Sequence, residues 1–217
     1  MAQKKEPVCR KILAAGGDLR QVTAAKLLAA QAEVQLVGFD RLGVLPDGVQ
    51  AIGNAGGLPA HSADVLLLPV TPVCETVPAP CGAEELPLPV LLRAVKRGGL
   101  VLCGRLNEAV RERFAEADCR AEDYTARESF AVRNAVPTAE AAIAVIVQEL
   151  PVTVSGLSCL ILGAGRISQA LQPRLRALGA DVCVAARRCS DLARSGGSEG
   201  KPVPAFSVRF SPECSSR

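Results

Sequence analysis

The stretch LILGAGRISQALQPRLRALGADVCVAARR, from Leu160 to Arg188, constrains the fold more than any other part of the chain. An apolar run leads into Gly163-Ala164-Gly165, a helix-like segment follows, and a second apolar run ends at Ala186. This order predicts a strand, a tight glycine turn, a helix and a second strand. Such a unit opens a dinucleotide-binding domain.

The same pattern occurs near the amino terminus, in ILAAGGDLRQVTAAKLLAAQAEVQLVGFD at residues 12–40. Further apolar runs, such as ADVLLLPV and the GGLVLCG that follows LPVLLRAVKR, alternate with helical segments. Alternation at this spacing is typical of a doubly wound parallel sheet. We therefore predict an α/β chain: a Rossmann-like doubly wound domain followed by an incomplete second Rossmann domain.

The predicted boundaries follow changes in composition. A helix that is apolar on all sides begins near Pro137 and ends before Pro151, which predicts a bridge covered by two domains. The predicted parts are a first domain at 1–133, a bridging helix at 134–151, a partial second domain at 152–195 and an irregular tail at 196–217.

Residues 77–89, VPAPCGAEELPLP, are dense in proline. This composition predicts an irregular surface loop between a strand and a helix. Long loops in compact domains often carry function, so a lid over a cleft is the alternative interpretation.

Composition disfavours several classes of protein. The 25 basic and 22 acidic residues give a net charge of +3 and form no basic block, so we expect no nucleic-acid partner. Nine cysteines without a CxxC pair indicate free thiols and a cytoplasmic location. The single histidine, His61, disfavours a histidine metal site, and no long apolar run predicts a membrane span.

The glycine turn of the second unit carries the predicted cofactor chemistry. Gly163 permits the tight turn, and Gly165 lets a pyrophosphate approach the helix N-terminus. Arg187 and Arg188 stand where an acidic residue would bind the ribose of NAD, and they favour the 2′-phosphate of NADP. The alternative is a plain strand–turn–helix with solvated arginines.

Two further groups are candidate cleft residues. Gly17 and Asp18 form a glycine turn in the first unit, where a ligand could lie, although a turn with a helix cap is an equal interpretation. Asn134 and Thr138 flank the predicted start of the apolar helix and could line an interdomain cleft or serve as caps. No pattern identifies catalytic residues.

Five segments of the chain carry a family resemblance through their order and spacing: GGDLRQ, VGFD, LLLPV, RNAVPTAEAAI and ILGAGRISQAL. Over roughly residues 9–195 the chain resembles the A subunit of bacterial dipicolinate synthase. The resemblance implies NADP-dependent dehydrogenation of a dihydrodipicolinate-type cyclic dicarboxylate during sporulation, in partnership with a flavoprotein-like B subunit. It also implies cofactor contacts at Gly163, Gly165, Arg166, Ile167, Arg187 and Arg188, and a cleft lined by Gly17, Asp18, Asn134 and Thr138.

The chain departs from the family pattern in three places. Ser168 stands at the third small position of the turn, Pro173 lies inside the following helix, and family chains continue well beyond the segment that matches DLAR, which ends at Arg194. We therefore expect a truncated or frameshifted chain with an incomplete cofactor domain. One rival hypothesis is a non-catalytic module that docks a partner protein. The other is a stand-alone 2-hydroxyacid-type dehydrogenase, which the lack of a second histidine disfavours.

Overall fold

A computed structural model describes residues 10–70 and 75–187, together with the backbone of 202–204. Contacts within the chain divide it into two units, Met1–Arg127 and Glu128–Arg217. Each unit is described by itself, as unit 1 and unit 2.

Unit 1 is built on a parallel sheet. Its strands are β1 Lys11–Ala15, β2 Glu33–Val37, β3 Val49–Ile52, β4 Ala63–Leu67, β7 Val95–Cys103 and β8 Arg120–Asp123, with a separate antiparallel pair, β5 Thr76–Val77 and β6 Leu86–Pro87. The helices are α1 Leu19–Leu28, α2 Leu88–Ala94 and α3 Glu108–Glu116, with short 3-10 turns at Ala55–Gly57 and Tyr124–Ala126.

The strand order is β3-β2-β1-β4-β7-β8, with every neighbouring pair parallel. This is the order of a doubly wound Rossmann-type sheet, and it confirms the predicted α/β fold. The order reverses between β1 and β4, so the carboxyl ends of these two strands form the crevice in which such sheets bind ligands.

The centre of the sheet is apolar on both faces because successive side chains of a strand point to opposite sides. On β1, Leu13 and Ala15 belong to one core cluster, whereas Ile12 and Ala14 belong to the other. The first cluster extends to Phe114 of α3, which is fully buried. Helices therefore cover both faces of the central strands.

The strand that follows α2 begins earlier than the sequence predicts. The glycine pair at 98–99 predicts a helix that continues to it and a strand from Leu100, but α2 ends at Ala94 and β7 begins at Val95. Pairing with β4 jumps from Ala63–Val95 to Val65–Leu100, so the intervening residues bulge out of the ladder. Gly98, at φ +68°, adopts the left-handed conformation that this bulge requires.

Unit 2 consists of the helices α4 Glu128–Glu149 and α5 Arg166–Ala177 and a parallel sheet of β9 Ser158–Leu162, β10 Asp181–Ala186 and β11 Pro202–Pro204. The sheet order is β11-β10-β9. Three residues of the segment predicted to be irregular thus form a strand beside β10. The strand-like run at 205–210 lies outside the described residues.

The long helix differs from its prediction. It begins at Glu128, so Pro137 lies in its interior instead of in its first turn. Proline cannot donate a backbone hydrogen bond, and the Thr138 hydroxyl donates to the Asn134 carbonyl at 2.7 Å one residue later. Asn134 and Thr138 are therefore partners inside α4 and do not cap its start.

By length and composition α4 could cross a membrane, with a mean hydropathy of 1.4 over its most apolar 18 residues. The sequence predicts no such span. A single helix of this kind is weak evidence for a membrane segment, and α4 contributes Ile143 and Ile146 to the packing of unit 2 against α5 and the sheet.

Pro173 does not interrupt α5, which continues from Arg166 to Ala177. The Arg174 guanidinium donates to the Ala170 carbonyl at 2.8 Å and so supplies a side-chain donor near the proline. Ser168 and Gln172 are both buried, and Gln172 Nε2 donates to the Ser168 hydroxyl at 3.1 Å. A small residue at 168 lets this face of the helix pack closely.

The buried ring of Phe114 provides a test of the unit 1 core. We expect Phe114→Ala to lower the free energy of unfolding by about 3–5 kcal/mol, because it leaves a cavity in a fully buried cluster. Val44→Ala is the control, since Val44 is 88% exposed and its truncation should cost less than about 0.5 kcal/mol. Urea unfolding of both variants measures the difference, and equal losses would contradict this account of the core.

Candidate nucleotide site

The glycine turn of unit 2 is open above its backbone. Gly163 follows β9 directly and has φ +108°, a conformation that other residues rarely adopt. Its N–H donates to the Ala185 carbonyl at 2.7 Å, which fixes the turn against β10. A Cβ atom built at Gly163 or Gly165 would meet no other atom of the described chain within 4 Å. Among the described residues, the backbone of this turn is therefore open to an approaching group.

The N-terminus of α5 lies at this opening. Gly165 is its N-cap, and no side chain in the described residues caps the first turn. The first amides of a helix have no acceptor within it, and their partial positive charge favours an anion. An uncapped helix start beside a glycine turn is therefore suited to a pyrophosphate.

Arg166 and Ile167 are the first residues of α5. Arg166 forms an ion pair with Glu128 of α4, with an Nε–Oε1 distance of 2.7 Å and a second contact from Nη2 to Oε2. This arginine holds the pKa of the Glu128 carboxyl below its usual value. Ile167 is 47% exposed, so an apolar side chain stands beside the opening.

Arg187 follows β10 and is exposed. The parallel register pairs Leu162 with Ala185, so Gly163 and Arg187 lie at the same edge of the sheet. Both residues therefore follow the carboxyl ends of neighbouring strands. Arg188 lies outside the described residues.

The glycine turn of unit 1 has a different environment. Asp18 is the N-cap of α1, and its Oδ1 accepts the Arg20 N–H at 3.0 Å. Its carboxylate also pairs with the Arg20 guanidinium, at 2.9 Å from Nε to Oδ1 and 2.7 Å from Nη2 to Oδ2. These bonds to Arg20 hold the pKa of Asp18 below its usual value. The Asp18 carboxylate thus already places a negative charge at the start of this helix, where an anionic ligand would otherwise bind.

A small pocket of about 80 Å³ opens at the reversal of the strand order in unit 1. Gly17, Asp18, Arg20 and Gln21 line it from the β1 side, and Pro69, Val70, Pro78 and Pro80 line it from the β4 side and the following segment. Gln21 is one of the few buried polar residues. Its side-chain amide lies 3.4 Å from the Leu67 carbonyl.

Tyr124 is a residue at this edge that the sequence did not single out. Its hydroxyl donates to the Leu68 carbonyl at 3.0 Å, just beyond β4, and burial raises its pKa. Burial also raises the pKa of the nearby Cys103 thiol to about 11, so this thiol stays protonated at neutral pH. Tyr124 is the only tyrosine of the chain, and that was the one sequence signal that could have pointed to it.

The structure therefore places the predicted residues in separate groups. Gly163, Gly165, Arg166, Ile167 and Arg187 share one edge of unit 2, Gly17 and Asp18 lie in unit 1, and Asn134 and Thr138 lie inside α4. Within the described residues, no three His, Cys, Asp or Glu side chains group as metal ligands would.

The cap on α1 yields a prediction about stability and pH. Asp18→Ala should lower the free energy of unfolding by about 1 kcal/mol, whereas Asp18→Asn should cost less because asparagine still caps. Since folding lowers the pKa of Asp18, the ionised carboxylate stabilises the fold at neutral pH, and this stabilisation is lost as the pH falls through the lowered pKa. Unfolding curves from pH 7 down to pH 3 measure it, and a deficit in Asp18→Ala that persists unchanged at the lowest pH would contradict the assignment.

Comparison with known proteins identifies the family of the chain. A family model for the N-terminal domain of the dipicolinate synthase A subunit matches residues 11–125. The A subunit of dipicolinate synthase from Bacillus subtilis (strain 168) is 31% identical over 188 residues, which cover 85% of this chain and 63% of that protein. The chain thus spans somewhat less than two thirds of the length of this relative.

Solved structures of dipicolinate synthase A subunits are also similar. The one from Bacillus halodurans has a TM-score of 0.76 at 27% identity, covering 90% of this chain and 68% of that one. The one from Bacillus subtilis has a TM-score of 0.72 at 30% identity, covering 91% and 67%. A transhydrogenase from Sinorhizobium meliloti, at 17% identity, has a TM-score of 0.62 over 90% of this chain and 64% of its own, and shares the fold. The chain belongs to the family of dipicolinate synthase A subunits.

Proposed function

We propose that this chain binds NADP at the Gly163–Gly165 turn of unit 2 and acts as the dehydrogenase subunit of a dipicolinate synthase. Its reaction would be the oxidation of a dihydrodipicolinate-type cyclic dicarboxylate to dipicolinate, in the cytoplasm of a sporulating cell. The observation that carries the proposal is the uncapped N-terminus of α5, which opens beside a glycine turn with free space above it.

The first residues of α5 would hold the pyrophosphate. The amides that follow Gly165 point out of the helix start, and the missing side chain at Gly165 lets phosphate oxygens reach them. Glu128 engages the Nε and Nη2 of Arg166, and Nη1 donates to no other described residue, so the same guanidinium could donate to a phosphate oxygen while it keeps its ion pair. Ile167 would contact the apolar parts of the nucleotide.

The end of β10 supports NADP over NAD. An enzyme specific for NAD places a carboxylate there to bind the ribose hydroxyls. This chain has the exposed Arg187 instead, which could pair with a 2′-phosphate. When bound, NADP would supply the hydride acceptor.

The substrate would bind over the strand reversal of unit 1, at the mouth of the small pocket that Gly17 and Asp18 line, because the pocket itself is too small to enclose a cyclic dicarboxylate. The Asp18 carboxylate alone would repel a dicarboxylate, but its ion pair with Arg20 neutralises that charge. Nη1 of Arg20 donates no hydrogen bond to the described residues, and it is suited to a substrate carboxylate. A contribution from Asn134 and Thr138 remains a prediction.

A flavoprotein-like B subunit is the proposed partner. Val132, Val145 and Val147 of α4 are each more than half exposed, so a partner that packs on this helix would bury apolar surface. The same observation favours a second candidate function, in which the chain docks its partner without catalysing a reaction. Co-purification with the B subunit, without turnover by the complex, would favour this second function.

Replacement of Gly165 by serine separates nucleotide binding from folding. Serine is a preferred N-cap, and a Cβ at 165 meets no other described atom within 4 Å, so the thermal midpoint should stay equal or rise. NADP affinity should fall by about tenfold or more, because the side chain would occupy the phosphate position. Calorimetric titration and thermal unfolding measure the two effects.

The matched control is Gly53→Ser in unit 1, where a Cβ likewise meets nothing within 4 Å. It should leave NADP affinity unchanged. Unaltered affinity in Gly165→Ser would exclude this turn as the nucleotide site.

Arg187 tests the choice of cofactor. We expect Arg187→Ala to weaken NADP binding by about 10- to 100-fold and to leave NAD binding nearly unchanged, because only NADP offers a 2′-phosphate. Arg176→Ala serves as control, since Arg176 lies in the last turn of α5, away from the turn at its start. Equal losses for NADP and NAD in Arg187→Ala would contradict the assignment.

A further inference from the structure

Unit 1 contains the parts of a dinucleotide site of its own. A glycine turn at Gly16 and Gly17 follows β1, and an acidic residue, Asp40, follows β2 about 20 residues later, where the ribose of a dinucleotide is normally bound. The space above these residues is filled by the segment Thr76–Pro87, here called the strap.

The strap covers the glycine turn. The N–H of Gly17 donates to the Pro78 carbonyl at 2.7 Å, so a main-chain oxygen takes the position that a phosphate oxygen would need. A Cβ atom at Gly16 would lie 2.7 Å from that same carbonyl oxygen. Glycine at 16 therefore serves the close approach of the chain's own backbone.

The strap also covers the end of β2. The Ala83 N–H donates to both oxygens of the Asp40 carboxylate, at 3.0 and 3.2 Å, and the Arg41 N–H donates to the Cys81 carbonyl at 3.1 Å. A Cβ atom at Gly82 would lie 2.8 Å from the Gly38 carbonyl oxygen. The carboxylate that would accept ribose hydroxyls is thus used by a backbone amide.

Buried side chains anchor the strap. Val77, Ala79 and Leu86 all belong to the main core cluster of unit 1. β5 and β6 pair with each other, and the Thr76 hydroxyl donates to Glu85 at 2.6 Å. Residues 78–85 form neither helix nor strand, as the sequence predicts for this loop, but the short pair β5–β6 and the buried side chains anchor the strap to the unit.

The space left beside the strap does not suit a nucleotide either. A pocket of about 480 Å³ remains beyond Asp40, at the carboxyl ends of β2 and β3. Asp40, Glu84 and Glu85 line it, and it has no basic side chain among its described lining residues. Its negative charge would repel phosphates.

We propose that the strap is an internal ligand that replaces a dinucleotide in unit 1. Main-chain groups of Pro78 and Ala83 satisfy the donor of Gly17 and the acceptor of Asp40 that a cofactor would otherwise satisfy. Unit 1 consequently binds no nucleotide, and its glycine turn is held by the strap. The inference concerns unit 1 alone and does not depend on nucleotide binding by unit 2.

Amide hydrogen exchange of the full chain tests this directly. In the wild type, the amides of Gly17, Arg41 and Ala83 should exchange at least tenfold more slowly than unprotected amides, because each is bonded across the strap contact. Gly82→Val should remove protection at all three positions, since its side chain would collide with the Gly38 carbonyl. Gly43→Val is the matched control, because a Cβ there meets nothing within 4 Å.

Asp40→Ala provides a milder variant in case Gly82→Val fails to fold. It should speed exchange at Ala83 while Gly17 stays protected through Pro78. Rapid exchange of the Gly17 amide in the wild type would overturn the proposal. Protection of the Gly17 and Ala83 amides that stays unchanged in both Gly82→Val and Asp40→Ala would also overturn it.

Exchange in saturating NADP separates this inference from the proposed function. Protection at Gly17 and Ala83 should not change on addition of NADP. Added protection there would overturn the internal-ligand proposal. If NADP protected no amide in the chain while the strap amides stayed slow, the proposed function would fail and the internal-ligand proposal would stand.

Discussion

Backbone amides at the start of a helix need acceptors, and the two glycine turns of this chain satisfy that need in opposite ways. In unit 1, the Asp18 carboxylate and the Pro78 carbonyl accept hydrogen bonds at the turn, so protein atoms fill the place of a ligand. In unit 2, no side chain of the described residues caps α5, and the space above Gly163 and Gly165 is open. Two similar sequence patterns therefore have different local environments.

Much of the fold could be predicted from the sequence because the signals are local. The strand–glycine turn–helix–strand segments that begin near Ile12 and Leu160 each have their whole pattern within about 30 consecutive residues. The structure contains both segments. Asp18 was recognisable as an N-cap for the same reason. The cover over the unit 1 turn was not predictable, since the bonds from Gly17 to Pro78 and from Asp40 to Ala83 join residues far apart in the sequence.

Two prolines led to wrong expectations about helices. Pro137 suggested the start of a helix, but α4 begins at Glu128 and continues through it, with Thr138 donating to the Asn134 carbonyl nearby. Pro173 suggested a damaged α5, but the helix is continuous and its buried face is completed by Ser168 and Gln172. A local cost of proline can be offset by tertiary packing, which a sequence pattern does not show.

The chain belongs to the family of dipicolinate synthase A subunits, and we propose that its two units have separate roles: unit 2 binds the nucleotide, and the edge of unit 1 binds the substrate.

The most direct test of this separation is a titration of the ¹⁵N-labelled chain with NADP, in which amide chemical shifts are followed. The account predicts saturable shifts at Ile167 and Ser168, in the first turn of α5, and none at Gly17 or Ala83. Shifts centred on the unit 1 turn, or no shift in either unit, would contradict it.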